Sequence, residues 1–168
     1  RRAAKGGLPL ADAAKATQQK AAGAVAVRAS LEDMVTLAKD ALLYTCGVAM
    51  DKYADKLMKQ QEIIGRLADL AIYAYACETA LVRARKNEAK KGASGKHMMN
   101  MATSFLYSSA EKVKVIAREC LCALATEGEL ATQLAELDKL TQYTPVNLIA
   151  LRNEIAAKIS EAGKYVVA

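Results

Sequence analysis

Tryptophan is absent from the 168-residue sequence, phenylalanine and histidine occur once each, and proline occurs twice. So few aromatic and proline residues, beside abundant alanine and leucine, disfavour β-strands and favour helices. The single histidine, His97, cannot supply the paired Glu-x-x-His ligands of a di-iron bundle or the ligand set of a zinc site. The sequence does not indicate a Ser-His-Asp triad either, because it contains no G-x-S-x-G turn. We interpret His97 as a partly exposed residue at the junction of a loop and a helix.

The four cysteines include no C-x-x-C pair. Cys120 and Cys122 are two residues apart, which places them on different sides of a helix. All four lie in apolar helical patterns, so we expect reduced, structural cysteines of a cytoplasmic protein.

Long uncharged runs are also missing. The two longest, 97–110 and 140–151, fall short of the roughly 20 apolar residues that a membrane-spanning helix needs. The net charge of +6 comes largely from an N-terminal arm and from one internal run, neither interleaved with aromatics, which argues against nucleic-acid binding. Because the chain begins with Arg1 rather than Met, we expect it to be a piece of a longer polypeptide.

Apolar residues recur at helical spacing over most of the chain, which predicts an all-α fold. We expect a basic, Ala-rich arm over 1–29 and a helical bundle over 30–168. Ser30 and Asp33 form a capping signal for a helix reaching about residue 57. Further helices are predicted over 62–86, 97–126 and 129–140, and from the Thr144-Pro145 start to Gly163. Three long and two shorter helices with short links indicate an antiparallel bundle.

The second of these helices, EIIGRLADLAIYAYACETALVRARK, is apolar on two faces, so we predict that it lies at the centre of the bundle. The following stretch, RARKNEAKKGASGK over 83–96, has six basic residues against Glu88, and its glycines and Ser94 predict a long basic connection. Such a connection can dock an anionic membrane surface or an acidic protein. The candidate docking residues are Arg83, Arg85, Lys86, Lys90, Lys91 and Lys96.

Several stretches resemble the C-terminal helical domain of very-long-chain-type acyl-CoA dehydrogenases. They are Arg66-Leu67-Ala68-Asp69 with the following 70–76, the turn 81–84, and the ending 151–155 through 161–167. Residues 2–10 are similar to the connector of bacterial members. The resemblance covers nearly the whole chain.

The resemblance implies a fold and a role. Enzymes of this family oxidise an acyl-CoA thioester between its α and β carbons, with a glutamate taking the α proton and FAD taking a hydride. Those parts lie upstream in the family, and the E-G-T stretch near its flavin has no match here, because Glu127-Gly128 is followed by Glu129. We therefore assign no catalytic, FAD-binding or metal-binding residue in this chain.

The expected role is that of a noncatalytic domain of a bacterial, cytoplasmic enzyme, which packs on the dehydrogenase body and supports its dimer. In mitochondrial relatives the place of the arm is linked with membrane attachment, but residues 1–28 offer no Phe or Trp to insert. The alternative is a free-standing helical adaptor that binds an acidic protein or an anionic membrane through its basic residues.

Overall fold

The computed structural model describes residues 9–91, 93–164 and 166, and these residues form helices joined by short links. The predicted all-α class is confirmed. The helices are α1 (Leu10–Ala22), α2 (Leu31–Tyr53), α3 (Gln61–Lys91), α4 (Ala93–Leu124), α5 (Glu127–Leu140) and α6 (Leu148–Ala162), with a 3₁₀ turn over Ala54–Lys59.

The three long helices α2, α3 and α4 pack side by side around one apolar core. Ion pairs show that α2 and α3 run antiparallel: Lys39 of α2 meets Glu78 of α3 at 2.6 Å, whereas Glu32, earlier in α2, meets Arg85, later in α3, at 2.8 Å. Among the contacts between described elements, α6 packs on α4, and none of its residues is fully buried.

The helix boundaries depend on local capping. Ser30 and Asp33 form the expected capping box at the start of α2. A second box, in which the Glu129 carboxylate accepts from the backbone N–H of Thr126 at 3.0 Å, starts α5 at Glu127, two residues before the predicted start. The predicted start of the last helix at Thr144-Pro145 was wrong, because Asn147 caps α6 by accepting from the Ala150 N–H at 3.0 Å.

The sequence predicted the C-terminal end of α6 correctly and that of α2 incorrectly. Gly163 ends α6 as expected, with a φ of 61° that glycine adopts without strain. The prediction that the first long helix continues to about residue 57 was wrong. It ends at Tyr53, and Ala54, with a φ of 44°, turns the chain into the 3₁₀ segment.

The described part of the arm packs on the bundle. Helix α1 lies against α2 and α5, where Ala14 and Ala21 are buried. The following strand-like segment brings the buried Arg28 into an ion pair with Asp40, and Arg28 Nε donates to the Leu140 carbonyl at 3.1 Å. The division of the chain into units over 1–29 and 30–168 stays a prediction.

The prediction of a long basic connection over 83–96 was wrong. Helix α3 continues to Lys91 and α4 begins at Ala93, because the stretch is rich in helix-forming Ala, Arg, Lys and Glu. Gly95 lies inside α4, where a Cβ would come within 2.3 Å of Glu88 Cα, so glycine permits the close approach of the two helices.

The interpretation of His97 as a partly exposed junction residue was also wrong. His97 is buried within the first turns of α4, and its Nε2 has no hydrogen-bond partner among the described residues. Because α4 begins at Ala93, earlier than the sequence predicted, His97 lies inside the helix and not at its start.

The prediction that α3 is the central helix was wrong as well. One side of α3, including Leu70 and Leu81, is buried against α2 and α4. The other apolar side is exposed: Ile72, Tyr75 and Val82 are 63%, 72% and 62% accessible. Burial of both faces needs helices on two opposite sides, and the described part of the chain covers one.

None of the described helices combines the length and the apolarity that a bilayer crossing requires.

Candidate docking interface

One side of α3 is exposed and takes no part in the core of the bundle. At 3.6 residues per turn, its side chains fall within an arc of about 100°. We call it the outer strip of α3 and define it by Ala68, Ile72, Tyr75, Thr79, Val82, Arg83, Lys86 and Lys90, all of which are exposed.

The rotation of α3 is fixed by contacts on both flanks of its buried side. Towards α4, Arg66 pairs with Glu119 at 3.3 Å, and Lys112 lies 6.0 Å from the ring centroid of Tyr73. Towards α2, Glu78 pairs with Lys39. Between these flanks Leu70 is fully buried, so the outer strip faces away from the bundle.

The outer strip is apolar in its middle and basic at its C-terminal end. Ile72, Tyr75 and Val82 form the apolar part. Arg83, Lys86 and Lys90 are spaced at i, i+3 and i+7, which aligns them along one helix face. No carboxylate of a described residue pairs with these three cations, so their charge is uncompensated within the described chain.

The structure brings together three of the six basic residues that the sequence singled out. Arg83, Lys86 and Lys90 share the outer strip, whereas Lys96 is exposed on α4. The side chain of Lys91 lies outside the described residues.

Arg85 lies on the flank of α3 that faces α2, outside the outer strip, and already has acidic partners. It pairs with Glu32 of α2 at 2.8 Å and with Glu88 at 3.6 Å. The hydrogen bond from Arg85 lowers the pKa of Glu32. Arg85 therefore joins α3 to α2 instead of contributing to the outer strip.

Sequence reasoning missed the apolar part of the outer strip as a surface. Its signal was present, because the second apolar face of 62–86 was recognised, but that face was assigned to the interior. A helix that is apolar on two sides predicts two coverings, and it does not say whether both come from the same chain.

An open cavity lies between the N-terminal end of α3 and the C-terminal end of α4. Its lining includes the carboxylates of Glu62, Asp69 and Glu119 together with Arg66 and Cys120. Burial raises the pKa of the Cys120 thiol to about 11, so the thiol stays protonated at neutral pH and is a poor nucleophile. Among the described residues, no group of three His, Cys, Asp or Glu side chains could hold a metal ion.

Comparison with known proteins identifies the family. Residues 37–139, more than half of the chain, match the family model described as "Acyl-CoA dehydrogenase, C-terminal domain". The chain belongs to this family. The matched residues run from α2 into α5 and contain the whole outer strip, and they confirm the resemblance noted in the sequence at the level of the acyl-CoA dehydrogenase C-terminal domain.

Two relatives of the acyl-CoA dehydrogenase C-terminal domain extend the match to nearly the whole chain. A Bacillus subtilis (strain 168) protein named "Probable acyl-CoA dehydrogenase" is 32% identical over 174 residues, covering 99% of this chain. The crystal structure of an acyl-CoA dehydrogenase from Bacillus anthracis, complexed with FAD, is 33% identical and superposes with a TM-score of 0.89 over 99% of this chain. The chain spans 29% of the length of each of these relatives.

Proposed function

We propose that this chain is the noncatalytic C-terminal domain of an FAD-dependent acyl-CoA dehydrogenase that works in the bacterial cytoplasm. Its role is to pack on the dehydrogenase body and to support the enzyme's dimer. The observation that carries the proposal is the unequal coverage of the alignment, which takes in 99% of this chain and 29% of the relative. A domain that accounts for under a third of the relative leaves the larger part of such an enzyme to contain the chemistry.

The chemistry of the open cavity supports assigning FAD to another part of the enzyme. Three carboxylates line the cavity, and the guanidinium of Arg66 is engaged by two of them, Asp69 at 3.5 Å and Glu119 at 3.3 Å. These groups would repel the diphosphate of FAD, and no aromatic side chain lines the cavity to stack on a flavin ring. The residues of this cavity do not fit FAD.

The proposal is tested by comparing the full-length protein that contains this chain with the 168-residue chain alone. Each is assayed for flavin absorbance and for reduction of an electron acceptor with a long-chain acyl-CoA. We expect bound flavin and turnover in the full-length protein and neither in the isolated chain. Turnover by the isolated chain would show that the domain is catalytic, and a full-length protein without flavin would rule out the dehydrogenase assignment.

A free-standing adaptor is the second candidate. The row of Arg83, Lys86 and Lys90, which have no acidic partner among the residues that the structure describes, favours it. Such a row attracts anionic lipid with a strength that falls as salt rises. The test is sedimentation of the chain with phosphatidylserine vesicles at low and high salt. A double variant, Lys86→Gln with Lys90→Gln, is compared with Lys15→Gln plus Lys158→Gln, which removes two exposed lysines elsewhere. Binding that both pairs reduce equally, or neither reduces, argues against the adaptor.

A further inference from the structure

We propose that the outer strip of α3 is the face on which the upstream part of the same polypeptide docks, through an apolar helix face flanked by carboxylates. This inference rests on the proposed function, since it takes the rest of the dehydrogenase as the occupant. It assigns the contact to particular side chains of α3 and to carboxylates on the partner surface.

The apolar part of the outer strip has the composition of an interface core. Scattered exposed apolar residues are normal in monomers, but a contiguous patch marks a contact site. Ile72, Tyr75 and Val82 follow one another along a single side of α3, each more than three-fifths exposed. Tyrosine at the middle position supplies a large ring and a hydroxyl, a combination enriched at protein interfaces.

The size of the outer strip suits a helix as its counterpart. From Ala68 to Lys90 the strip is roughly 33 Å long, at 1.5 Å per residue. A partner helix of similar length, packed at the usual interaxial distance of about 8–10 Å, would cover it from end to end.

The basic end of the outer strip defines the chemistry of the counterpart. Arg83, Lys86 and Lys90 project from the same face as the apolar residues and have no acidic partner within the described chain. Neighbouring carboxylates are already engaged, because Glu78 pairs with Lys39 and Glu88 with Arg85. A complementary surface therefore has carboxylates next to its apolar part, which fixes the direction of docking.

The upstream polypeptide is favoured over a second copy of this chain. More than two thirds of the Bacillus subtilis relative lies outside the alignment, so a large body is available to cover the strip. Two copies paired through the strip about a twofold axis would place each basic end against the apolar or uncharged part of the other strip. That arrangement leaves the cations of both copies uncompensated.

The test measures how fast a thiol on the outer strip reacts with a maleimide. Tyr75→Cys is the reporter, and Ile149→Cys on α6 is the matched control, because the two side chains are 72% and 74% exposed. Both are made in a Cys122→Ser background, since Cys122 is exposed. Each variant is labelled in the full-length enzyme and in the isolated chain, and the labelled peptides are identified by mass spectrometry. The isolated chain is suitable because its own helices form its apolar core.

We expect the Tyr75→Cys thiol to react about tenfold or more slowly in the full-length enzyme than in the isolated chain, as in the dry core of an interface. The Ile149→Cys thiol should react at similar rates in both. Adding Arg83→Glu, Lys86→Glu and Lys90→Glu should restore fast labelling of Tyr75→Cys in the full-length enzyme, because like charges would then meet the partner's carboxylates.

Three outcomes would overturn the inference. Equal labelling of Tyr75→Cys in both proteins shows an uncovered strip, and if the same enzyme sample turns over acyl-CoA, the proposed function stands while this inference fails. Protection in the isolated chain that rises with its concentration identifies a second copy as the occupant. Protection that appears only with phosphatidylserine vesicles identifies a lipid surface.

Discussion

Leu70 anchors α3 to the core, because its side chain is fully buried between α2 and α4. We predict that Leu70→Ala lowers the free energy of unfolding of the isolated chain by about 2–5 kcal/mol, through lost apolar burial and the cavity left behind. Denaturant titration followed by circular dichroism measures this. Ile72→Ala, two residues away but 63% exposed, is the control and should change stability by less than about 0.5 kcal/mol. A loss below about 1 kcal/mol for Leu70→Ala would contradict the burial of Leu70 between α2 and α4.

The Tyr44 hydroxyl shows how burial and a carboxylate partner together raise the pKa of a single side chain. Tyr44 is 1% exposed and donates to a carboxylate oxygen of Glu136 at 2.5 Å. Burial first, and the Glu136 carboxylate second, raise the pKa of Tyr44 well above its ordinary value of 10.0. The hydroxyl therefore stays protonated at physiological pH and holds α5 to α2.

At the scale of the helices, two glycines differ in how closely a neighbouring helix packs against them. At Gly95 an added Cβ would meet the backbone of Glu88, whereas at Gly65 it would meet nothing within 4 Å. We predict that Gly65→Ala stabilises the chain by about 0.5–1 kcal/mol, since alanine favours a helix interior. Gly95→Ala should destabilise it, because α3 and α4 must separate. Thermal unfolding of the two variants distinguishes these effects, and equal shifts of Tm in the same direction would contradict the close approach at Gly95.

The start of α5 should depend on pH through its capping box. Hydrogen bonds from the Thr126 backbone and side chain lower the pKa of Glu129 below its ordinary value of 4.5. A carboxyl whose pKa is lower in the folded state stabilises the fold above its unfolded pKa, and this contribution is lost as the pH falls through the folded value.

Glu129→Ala tests this dependence. We predict that it lowers the free energy of unfolding at pH 7 and has a smaller effect at pH 3, where the wild-type carboxyl is largely protonated in the unfolded chain. Glu127→Ala is the control, because Glu127 lies in the same helix turn but outside the capping box. A difference between wild type and Glu129→Ala that stays constant from pH 7 to pH 3 would show that the box adds no pH-dependent stability.

At the scale of the whole molecule, the arm and the bundle share an ion cluster around the buried Asp40. Asp40 is 7% exposed and accepts from Arg28 and from Lys20, the latter at 2.6 Å. We predict that a chain starting at Ser30 is markedly less stable than the full 168 residues, because Asp40 loses both cations and the surface under Ala21 is opened. Thermal unfolding of the two chains measures the effect. Equal stability would show that 30–168 is an independent unit and that the arm is a connector.

The sequence by itself determined the all-α class and some of the helix ends. Helical hydrogen bonds are local, and apolar spacing together with caps such as Ser30 and Gly163 is visible within a few residues of each boundary. It failed at 83–96, where Gly95 resembles a helix breaker but serves the close contact of two helices. A contact of that kind depends on a residue distant in space, which local pattern does not contain.

The tertiary structure decided which apolar face of α3 is covered. The two faces of 62–86 are alike in sequence, and only the placement of α2 and α4 leaves one buried through Leu70 and the other exposed through Tyr75. It also decided which of the candidate docking residues share a face, because the rotation of α3 separates Arg85, paired with Glu32, from the row of Arg83, Lys86 and Lys90. Burial is a property of neighbours, so a sequence pattern can show that a face is apolar but cannot show what lies against it.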